Sequence, residues 1–514
     1  MGGAEVTTSA LEVERKYDVG PGTPVPDLAG VQGVTSTAPA EEHLLEAMYV
    51  DTPDLRLRSA GITLRHRTGG TDAGWHLKLP AGADREEIRV QSDAGDVPAE
   101  LASLVRVHVR GRDLVPVASL STRRVVQRLL GPDGAPLAEF ADDTVHGRPL
   151  PDGAELLWRE WEVELLGGGR TLLDAVQVQL LAAGAAPSSS SSKLGRVLSR
   201  PQAVDGEQPW WADGGRRGGR RTAGATVQAH LAGQVAELVA RDPQVRRDLP
   251  DALHRMRVAT RRLRSALTTF GPLLNRELTD PLRDELRWLA AVLGAARDAE
   301  VMRARLLALI DAERADLVLG DVREHVDAAM ARRHRVAHDQ VVVELDGERY
   351  LRLLDDLDAL VAAPPFLPGA REDAKSVLAD LVRRSWRRLD RAMAAAERAP
   401  RGLRQDELLH EVRKDAKRTR YAAEAVEPVF GRPARRYAAA VTQLQESLGD
   451  FQDGAVTRQV LLEIAAAGQP AGENAFTLGR LHAREQALAE AAVADWPLAR
   501  VAVSRKRFRG WFKS

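Results

Sequence analysis

LEVERKY, residues 11–17, stands almost at the start of the chain, and its reading decides what the first part of the chain can be. In a β-strand alternate side chains share a face, so Glu12, Glu14 and Lys16 point one way and Val13 and Arg15 the other. Two carboxylates two residues apart, followed by a lysine, make a poor core face and a good wall for a polar tunnel. The carboxylates can hold Mg²⁺ or Mn²⁺, and the amine can meet a phosphate oxygen. Taken alone, ExExK also describes a solvated strand edge in a chain with 28% charged residues. The neighbouring segments have to decide.

Outward from this stretch, residues 1–166 read as short strands separated by turns. The candidates are 11–18, 45–51, 61–68, 74–80, 86–91, 122–130, 136–146 and 157–165. Between them lie groups such as GPGTP, TGGTDAG, PAGAD and GPDGAP, which carry turn chemistry. Hairpin-like spacing of this kind predicts an eight-stranded antiparallel barrel. An amphipathic helix at 171–184 and a serine run, Ser188 to Ser192, follow. Several strands put charge where a soluble strand would put its apolar face. Arg65 alternates with Arg67, and His76 with Lys78. Glu160, Glu162 and Glu164 alternate opposite Trp161 and Val163. One such strand is simply half-exposed. Several, some basic and some acidic, are explained together by a polar interior that holds cations beside a polyanion.

At 514 residues the chain is long enough for two or three domains with their own cores. Basic and acidic residues number 73 each, so net charge says nothing about partners. Their distribution does: residues 1–200 carry 21 basic and 28 acidic side chains, the remainder 52 and 45. An acidic first part and a basic second part suggest domains with different charge tasks. The lack of cysteine excludes disulfides and thiolate metal sites and fits a cytoplasmic protein. MGGAEVTTSA has no basic region leading into an apolar run, so no signal peptide is expected. No apolar run reaches the roughly 18 residues of a transmembrane helix. Aromatics are 4% while Ala, Leu and Arg dominate, which favours helices in much of the chain.

Residues 201–224, PQAVDGEQPWWADGGRRGGRRTAG, read as a flexible linker, of which RRGGRR could also grip a polyanion. Residues 225–505 read as an all-helical bundle with a period near 3.6. Within it HRMRVATRRLRS (254–265) matches HEVRKDAKRTRY (410–421), and LAAVLGAARDAEVMR (289–303) matches LQESLGDFQDGAVTR (444–458). The near-equal offsets mark an internal duplication into two related halves. On a helix His254, Arg257 and Arg261 share a face, with Arg264 at its edge; His410, Arg413, Lys414, Lys417 and Tyr421 do likewise. One basic face is ordinarily just solvated. Two copies, each opening on a histidine, point to an anion site. Like charges on adjacent turns repel by a few tenths of a kcal/mol per pair, which a bound polyanion would relieve. Few aromatics and no helix-turn-helix or finger motif argue against specific nucleic-acid binding. A linear phosphate polymer needs only charge at regular spacing. The basic-aromatic tail, residues 506–514 with Phe508, Trp511 and Phe512, is expected to pack its rings on the bundle; contact with an anionic membrane or the polymer is the other reading.

Residues from about 10 to 200 resemble the CYTH domain of the triphosphate tunnel metalloenzymes. The matching residues are Glu12, Glu14 and Lys16 in EVERK, then Tyr49, Asp51, Arg65 and Arg67 in YVDTPDLRLRSAGITLRHR. They continue with Trp75 and Lys78 in WHLKLP, Arg85, Glu86 and Glu87, Arg124 in STRRVVQRLL and Glu139 in LAEFADD. Glu162 and Glu164 in EVELL and Lys193 in SSKLGRVL complete them. The resemblance implies an antiparallel tunnel that binds a triphosphate end-on with divalent metal, Mg²⁺ or Mn²⁺. Glu12, Glu14, Glu139, Glu162 and Glu164 would hold metal; Lys16, Arg65, Arg67, Lys78, Arg124 and Lys193 would hold phosphate. Arg123 and Arg124 stay interchangeable here, because a one-residue slip swaps the two faces. Glu160 has no place in the scheme.

The helical repeat resembles the CHAD domain, which implies binding of inorganic polyphosphate along its basic surface. His254 and His410 match its motif. So do LGxxxD turns carrying Asp298 and Asp453, which could equally be helix caps. The expectation is therefore an α+β multidomain protein, a tunnel followed by a helical bundle. Its expected activity is metal-dependent hydrolysis of inorganic triphosphate or a small organic triphosphate, with association with polyphosphate granules in the cytoplasm. In the implied mechanism the basic residues hold the phosphates while one metal offsets their charge and a second activates water. Glu12, Glu14 and Lys16 form the catalytic group, with Lys16 near the scissile phosphate. Two rivals stand beside it: an adenylate cyclase of the same tunnel family, and a non-catalytic polyphosphate-binding or granule-targeting protein. Five carboxylates close together argue against the last, since their repulsion costs stability unless metal is bound.

Overall fold

Val13 divides the opening stretch into two strands, β1 (Thr7–Glu12) and β2 (Glu14–Val19), and the break organises the whole first unit. The computed structural model describes residues 7–92, 94–198, 216–217, 220–400, 402–468 and 474–513. It divides into two compact units, Met1–Asp205 and Gly206–Ser514. In the first unit the further strands are β3 (Ser36–Thr37), β4 (Glu41–Asp51), β5 (Thr63–Thr68), β6 (Gly74–Ala81), β7 (Asp84–Val90), β8 (Val115–Leu130), β9 (Pro136–Pro149), β10 (Leu156–Leu165) and β11 (Ala186–Pro187). They form one antiparallel sheet in the order β1-β7-β6-β5-β4-β8-β9-β10-β2-β11, with β3 on β8. β1 pairs with β7 and β2 with β10, so two halves of one extended stretch bond to opposite ends of the sheet, which must curl to meet them. With β1 and β2 taken as one strand and the two-residue β3 and β11 set aside, the expected eight strands remain.

The sheet is apolar outside and polar inside. On β10, Trp161 and Val163 face outward into a core with Tyr17, Phe140 and Val176; Glu162 and Glu164 face inward. That core is roofed by α3 (Arg170–Ala182), close to the expected 171–184. A second outer core joins Leu64, Trp75, Leu77 and Ile88 to α2 (Ala99–Val109). This helix corrects the all-strand reading of residues 1–166. Leu101, Leu104, Val105 and Val109 are its buried face, but its valines favour extended structure locally, and packing on the sheet overrides them. Two strands also start earlier than their patterns suggested, β4 at Glu41 and β8 at Val115. The short α1 (Arg56–Ser59) hangs on Asp51, whose buried carboxylate accepts from the backbone N–H of Thr52, Leu57 and Arg58 at 2.7, 2.8 and 2.9 Å. α4 (Lys193–Val197) ends the unit, its first turn capped by Ser192.

In the second unit α5 (Ala223–Arg246), α6 (Ala252–Thr269), α7 (Arg276–Asp311) and α8 (Val322–Asp346) pack in sequence. After α9 (Glu348–Ala362) the same neighbour order recurs in α10 (Ala374–Arg398), α11 (Leu403–Ala425), α13 (Arg432–Gly468) and α14 (Phe476–Val503), with the short α12 (Glu427–Phe430) inserted. α6 buries Leu253, Met256, Ala259, Leu263 and Ala266, and α11 buries Leu409, Val412, Ala416, Thr419 and Ala423. These positions lie three or four apart, leaving the basic residues on the other face. The LGxxxD segments are neither turns nor caps. Asp298 and Asp453 lie inside α7 and α13. Most of the expected linker lies outside the described residues; near its end, β12 (Arg216–Arg217) pairs with β13 (Arg220–Arg221). The tail makes two 3-10 turns, and Trp511 packs tilted against Phe430 and Phe512 edge-to-face against Tyr437, with ring centroids 4.6 and 5.2 Å apart. No helix among the described residues is long and apolar enough to cross a membrane.

Candidate functional site

All the tunnel residues expected from sequence line one internal cleft of about 270 Å³. They are Glu12, Glu14, Lys16, Arg65, Arg67, Lys78, Arg124, Glu139, Glu162, Glu164 and Lys193. Sheet register explains how they meet. Glu14 on β2, Glu164 on β10 and Glu139 on β9 are direct cross-strand neighbours, with Arg128 of β8 next in line. One row along, Lys16 lies opposite Glu162. Beyond that, Arg124, Asp143 and Glu160 are neighbours across β8, β9 and β10. The register settles the arginine pair: Arg124 enters the cleft, while Arg123 turns outward to Glu42.

Most cations in the cleft are held by carboxylates. Lys16 Nζ donates to Glu14 at 2.8 Å and also meets Glu162. Lys78 Nζ donates to both oxygens of Glu12, at 2.6 and 2.7 Å. Arg124 makes a forked pair with Asp143 at 2.8 and 2.6 Å and reaches Glu162. Lys193 is delivered by the serine run. Ser188 Oγ donates to Asp18 at 2.9 Å, and Lys193 Nζ then lies 2.9, 2.8 and 2.6 Å from Asp143, Glu160 and Glu162. Burial alone would favour the neutral forms here, but opposite charges win. Glu162 is held well below the usual carboxylate range by Lys16, Lys193 and Arg124, against its burial. Lys16 is raised by Glu162 and Glu14, again against burial.

In two inward groups that compensation is outweighed. Burial, with Glu12, pushes the Glu164 carboxyl up to about 7. Burial, with Arg65 and Arg124, pulls the Arg67 guanidinium down to about 9. Glu139 has Arg128 as a cationic neighbour 4.0 Å away.

The structure adds residues that the sequence reading left out of the site. Glu87, quoted only as part of the resemblance, is buried among His76 Nδ1 (3.0 Å), Arg89 Nε (2.6 Å), Lys78 (3.7 Å) and Arg65 (3.8 Å). Burial holds His76 down at about 4. Asp143 shares strand parity with Glu139, and that parity was the available signal. Glu160 finds its place beneath α4, accepting from Trp158 Nε1 at 2.6 Å. Asp143, Glu160 and Glu162 present oxygens within 4.8 Å of one another, a group that could hold a metal ion.

In the helical unit the two repeated faces meet where α6 contacts α11. Arg261 Nη2 donates to Tyr421 Oη at 2.7 Å, and Arg262 pairs with Glu424 at 2.8 Å. The repeated LGxxxD motif gains a physical meaning. Arg257 Nη1 donates to Asp298 at 2.7 Å and Arg413 lies 3.5 Å from Asp453. A Cβ on Gly294 or Gly449 would meet the respective guanidinium at 3.5 or 3.4 Å. Each half thus seats one arginine over a glycine, beside an aspartate. Crowding is severe: burial with Arg413, Arg261 and Arg257 pulls Lys417 down to about 7. Burial with Arg287 and Arg418 lowers Arg264. His254 is lowered by partial burial of its ring and by Arg297, His410 is half-buried, and Lys414 is exposed beside Glu411. Arg287 and Arg297 come from α7, outside the basic stretches 254–265 and 410–421, and so were not legible as part of this surface.

A family model described as CYTH domain matches residues 10–196, and one described as CHAD domain matches residues 229–462. Over 497 residues the chain is 41% identical to the uncharacterized protein Rv2226 of Mycobacterium tuberculosis (strain ATCC 25618 / H37Rv), covering 93% of this chain and 94% of that relative. Among solved structures, PptA from Streptomyces chartreusis matches with TM-score 0.46 and 24% identity, over 54% of this chain and 99% of that one. The CHAD domain from the plant Ricinus communis matches with TM-score 0.44 and 24% identity, over 58% and 97%. With a CYTH domain in its first unit and a CHAD domain in its second, the chain belongs to the CYTH–CHAD fusions, triphosphate tunnel metalloenzyme relatives that carry a polyphosphate-associated domain.

Proposed function

We propose that the first unit hydrolyses a small triphosphate, inorganic or organic, with Mg²⁺ or Mn²⁺, and that the second unit binds inorganic polyphosphate along α6 and α11. The observation that carries the reading is the convergence of Lys16, Arg65, Arg67, Lys78, Arg124 and Lys193 on one small cleft that also holds a row of carboxylates. At about 270 Å³ the cleft lies just under the roughly 300–1,000 Å³ of drug-sized ligand pockets, which favours a short ligand.

The donor set fits a hard divalent cation. Glu14, Glu164 and Glu139 adjoin in register with Glu12 alongside, all are oxygen donors, and Glu164 is short of positive charge. When bound there, the metal would neutralise phosphate charge and lower the pKa of a water. The chain's own residues do the rest. Lys16, between Glu14 and Glu162, would hold the phosphoryl group to be transferred, while Arg65, Arg67 and Arg124 hold its neighbours. Phosphoryl transfer asks little more of a protein than placement and charge compensation. The cleft's cations have carboxylate partners, so a phosphate chain would enter by exchanging one set of anions for another.

Phosphate release from inorganic triphosphate, ATP and long-chain polyphosphate with Mg²⁺ or Mn²⁺ tests this reading. Orthophosphate from triphosphate that is lost in Glu12→Ala/Glu14→Ala establishes the hydrolase. Cyclic AMP with pyrophosphate from ATP moves the assignment to a cyclase. No turnover, with salt-sensitive polyphosphate retention that depends on Arg257, Arg261, Arg413 and Lys417, leaves a binding protein. The corresponding cellular reading is a cytoplasmic protein held at polyphosphate deposits.

A further inference from the structure

Most carboxylates that pair with the cleft's cations lie deep within it, but Asp72 lies toward the mouth. It belongs to the turn between β5 and β6 and lines the cleft together with Gly70 and Thr71. Its carboxylate pairs with Arg67 and lies 3.6 Å from Arg89, and its carbonyl oxygen meets His76 Nε2 at 2.8 Å. Side-chain exposure rises from 8% at Arg67 through 29% at Asp72 to 41% at Arg89, so the three run from the interior of the cleft to its mouth. The turn is built to keep Asp72 there. Gly69 and Gly70 take φ of 78° and 73°, the left-handed region that favours glycine. A Cβ on Gly69 would stand 2.0 Å from the carbonyl oxygen of Leu44, and one on Gly70 2.8 Å from the Leu45 side chain. The turn therefore folds down against β4 and carries Asp72 inward.

We propose that Asp72 sets the length of phosphate chain the tunnel accepts, by standing as a negative charge between Arg67, inside the cleft, and Arg89, at its mouth. The inference rests on the phosphate-binding reading of the cleft given above. A terminal triphosphate engages the inner cations. A further phosphate at the mouth meets the Asp72 carboxylate, a like charge set between Arg67 and Arg89, which costs binding. Discrimination then comes from a repulsive element and not from an added attractive contact.

The test compares full-length wild type with Asp72→Asn and Asp72→Ser on inorganic tri-, tetra- and pentapolyphosphate, with circular dichroism melts to confirm folding. The kcat/KM ratio of penta- to tripolyphosphate should rise roughly tenfold in both variants, the scale of one lost or gained charged contact. An equal loss on all three chains, with the ratio unmoved, overturns the proposal and reduces Asp72 to steadying Arg67. Calorimetric affinities for the same three chains run in parallel. The helical unit is identical in all three proteins, so differences between isotherms belong to Asp72. If no protein turns over any chain, the hydrolase reading fails on its own, and the affinity ratio decides the role of Asp72 by the same criterion.

Discussion

Glu164 and Lys417 both carry charges that their folded surroundings disfavour, and both make pH predictions. Glu164 titrates near 7 when folded against an ordinary value near 4.5, so it favours folding below 4.5 and loses that contribution as pH rises through 7. Glu164→Gln should therefore raise the metal-free melting temperature at pH 8 and leave it nearly unchanged at pH 4, measured by calorimetry. Metal binding needs the carboxylate, so wild-type Mg²⁺ affinity should climb through pH 7 and the variant's should not. Lys417 runs the other way. Its ammonium is lowered from 10.5 to about 7, so the unfolded chain binds the extra proton and stability falls as pH drops from 10.5 to 7. Lys417→Met should stabilise the ligand-free protein at pH 6 while weakening polyphosphate binding several-fold in a filter assay. Asp51 has a different task, although it fell within the family-like stretch. It ties down three backbone N–H groups. Asp51→Ala should cost about 2–4 kcal/mol in urea unfolding, because buried donors lose their acceptor.

At the scale of elements, the tunnel is an inverted barrel, and its stability lies on its outside. Trp161, fully buried between β10 and α3, alternates with Glu160 and Glu162, so one strand supplies both core and site. Trp161→Ala should destabilise the first unit by about 3–5 kcal/mol in chemical denaturation, with triphosphate turnover falling as the β10 wall loosens. Strand alternation was readable because charge recurred at every second position. α2 was not, since its apolar residues fit a strand nearly as well as a helix until the sheet gives them a surface. The basic helices behave similarly. Their repeat was visible in residues 254–265 and 410–421, whereas the seating of Arg257 over Gly294 and of Arg413 over Gly449 depends on how α6 meets α7 and α11 meets α13.

Across the whole molecule, two units with separate cores should report separately on their ligands. In differential scanning calorimetry, triphosphate with Mg²⁺ should raise one transition and long-chain polyphosphate the other, each by mass action on its own folded unit. Long-chain affinity should also fall steeply with salt, as for any ligand held by many phosphate contacts. From the sequence alone came the class of each unit, the eight-strand count, the duplication and the cleft-lining charges. All of these are periodic or repeated, and a one-dimensional pattern carries such information. Only the tertiary structure placed Glu160, Asp143, Glu87 and Asp72, chose Arg124 over Arg123, and moved Asp298 and Asp453 from turns into helices. These depend on register between strands and contact between helices far apart in the chain, which no local spacing encodes.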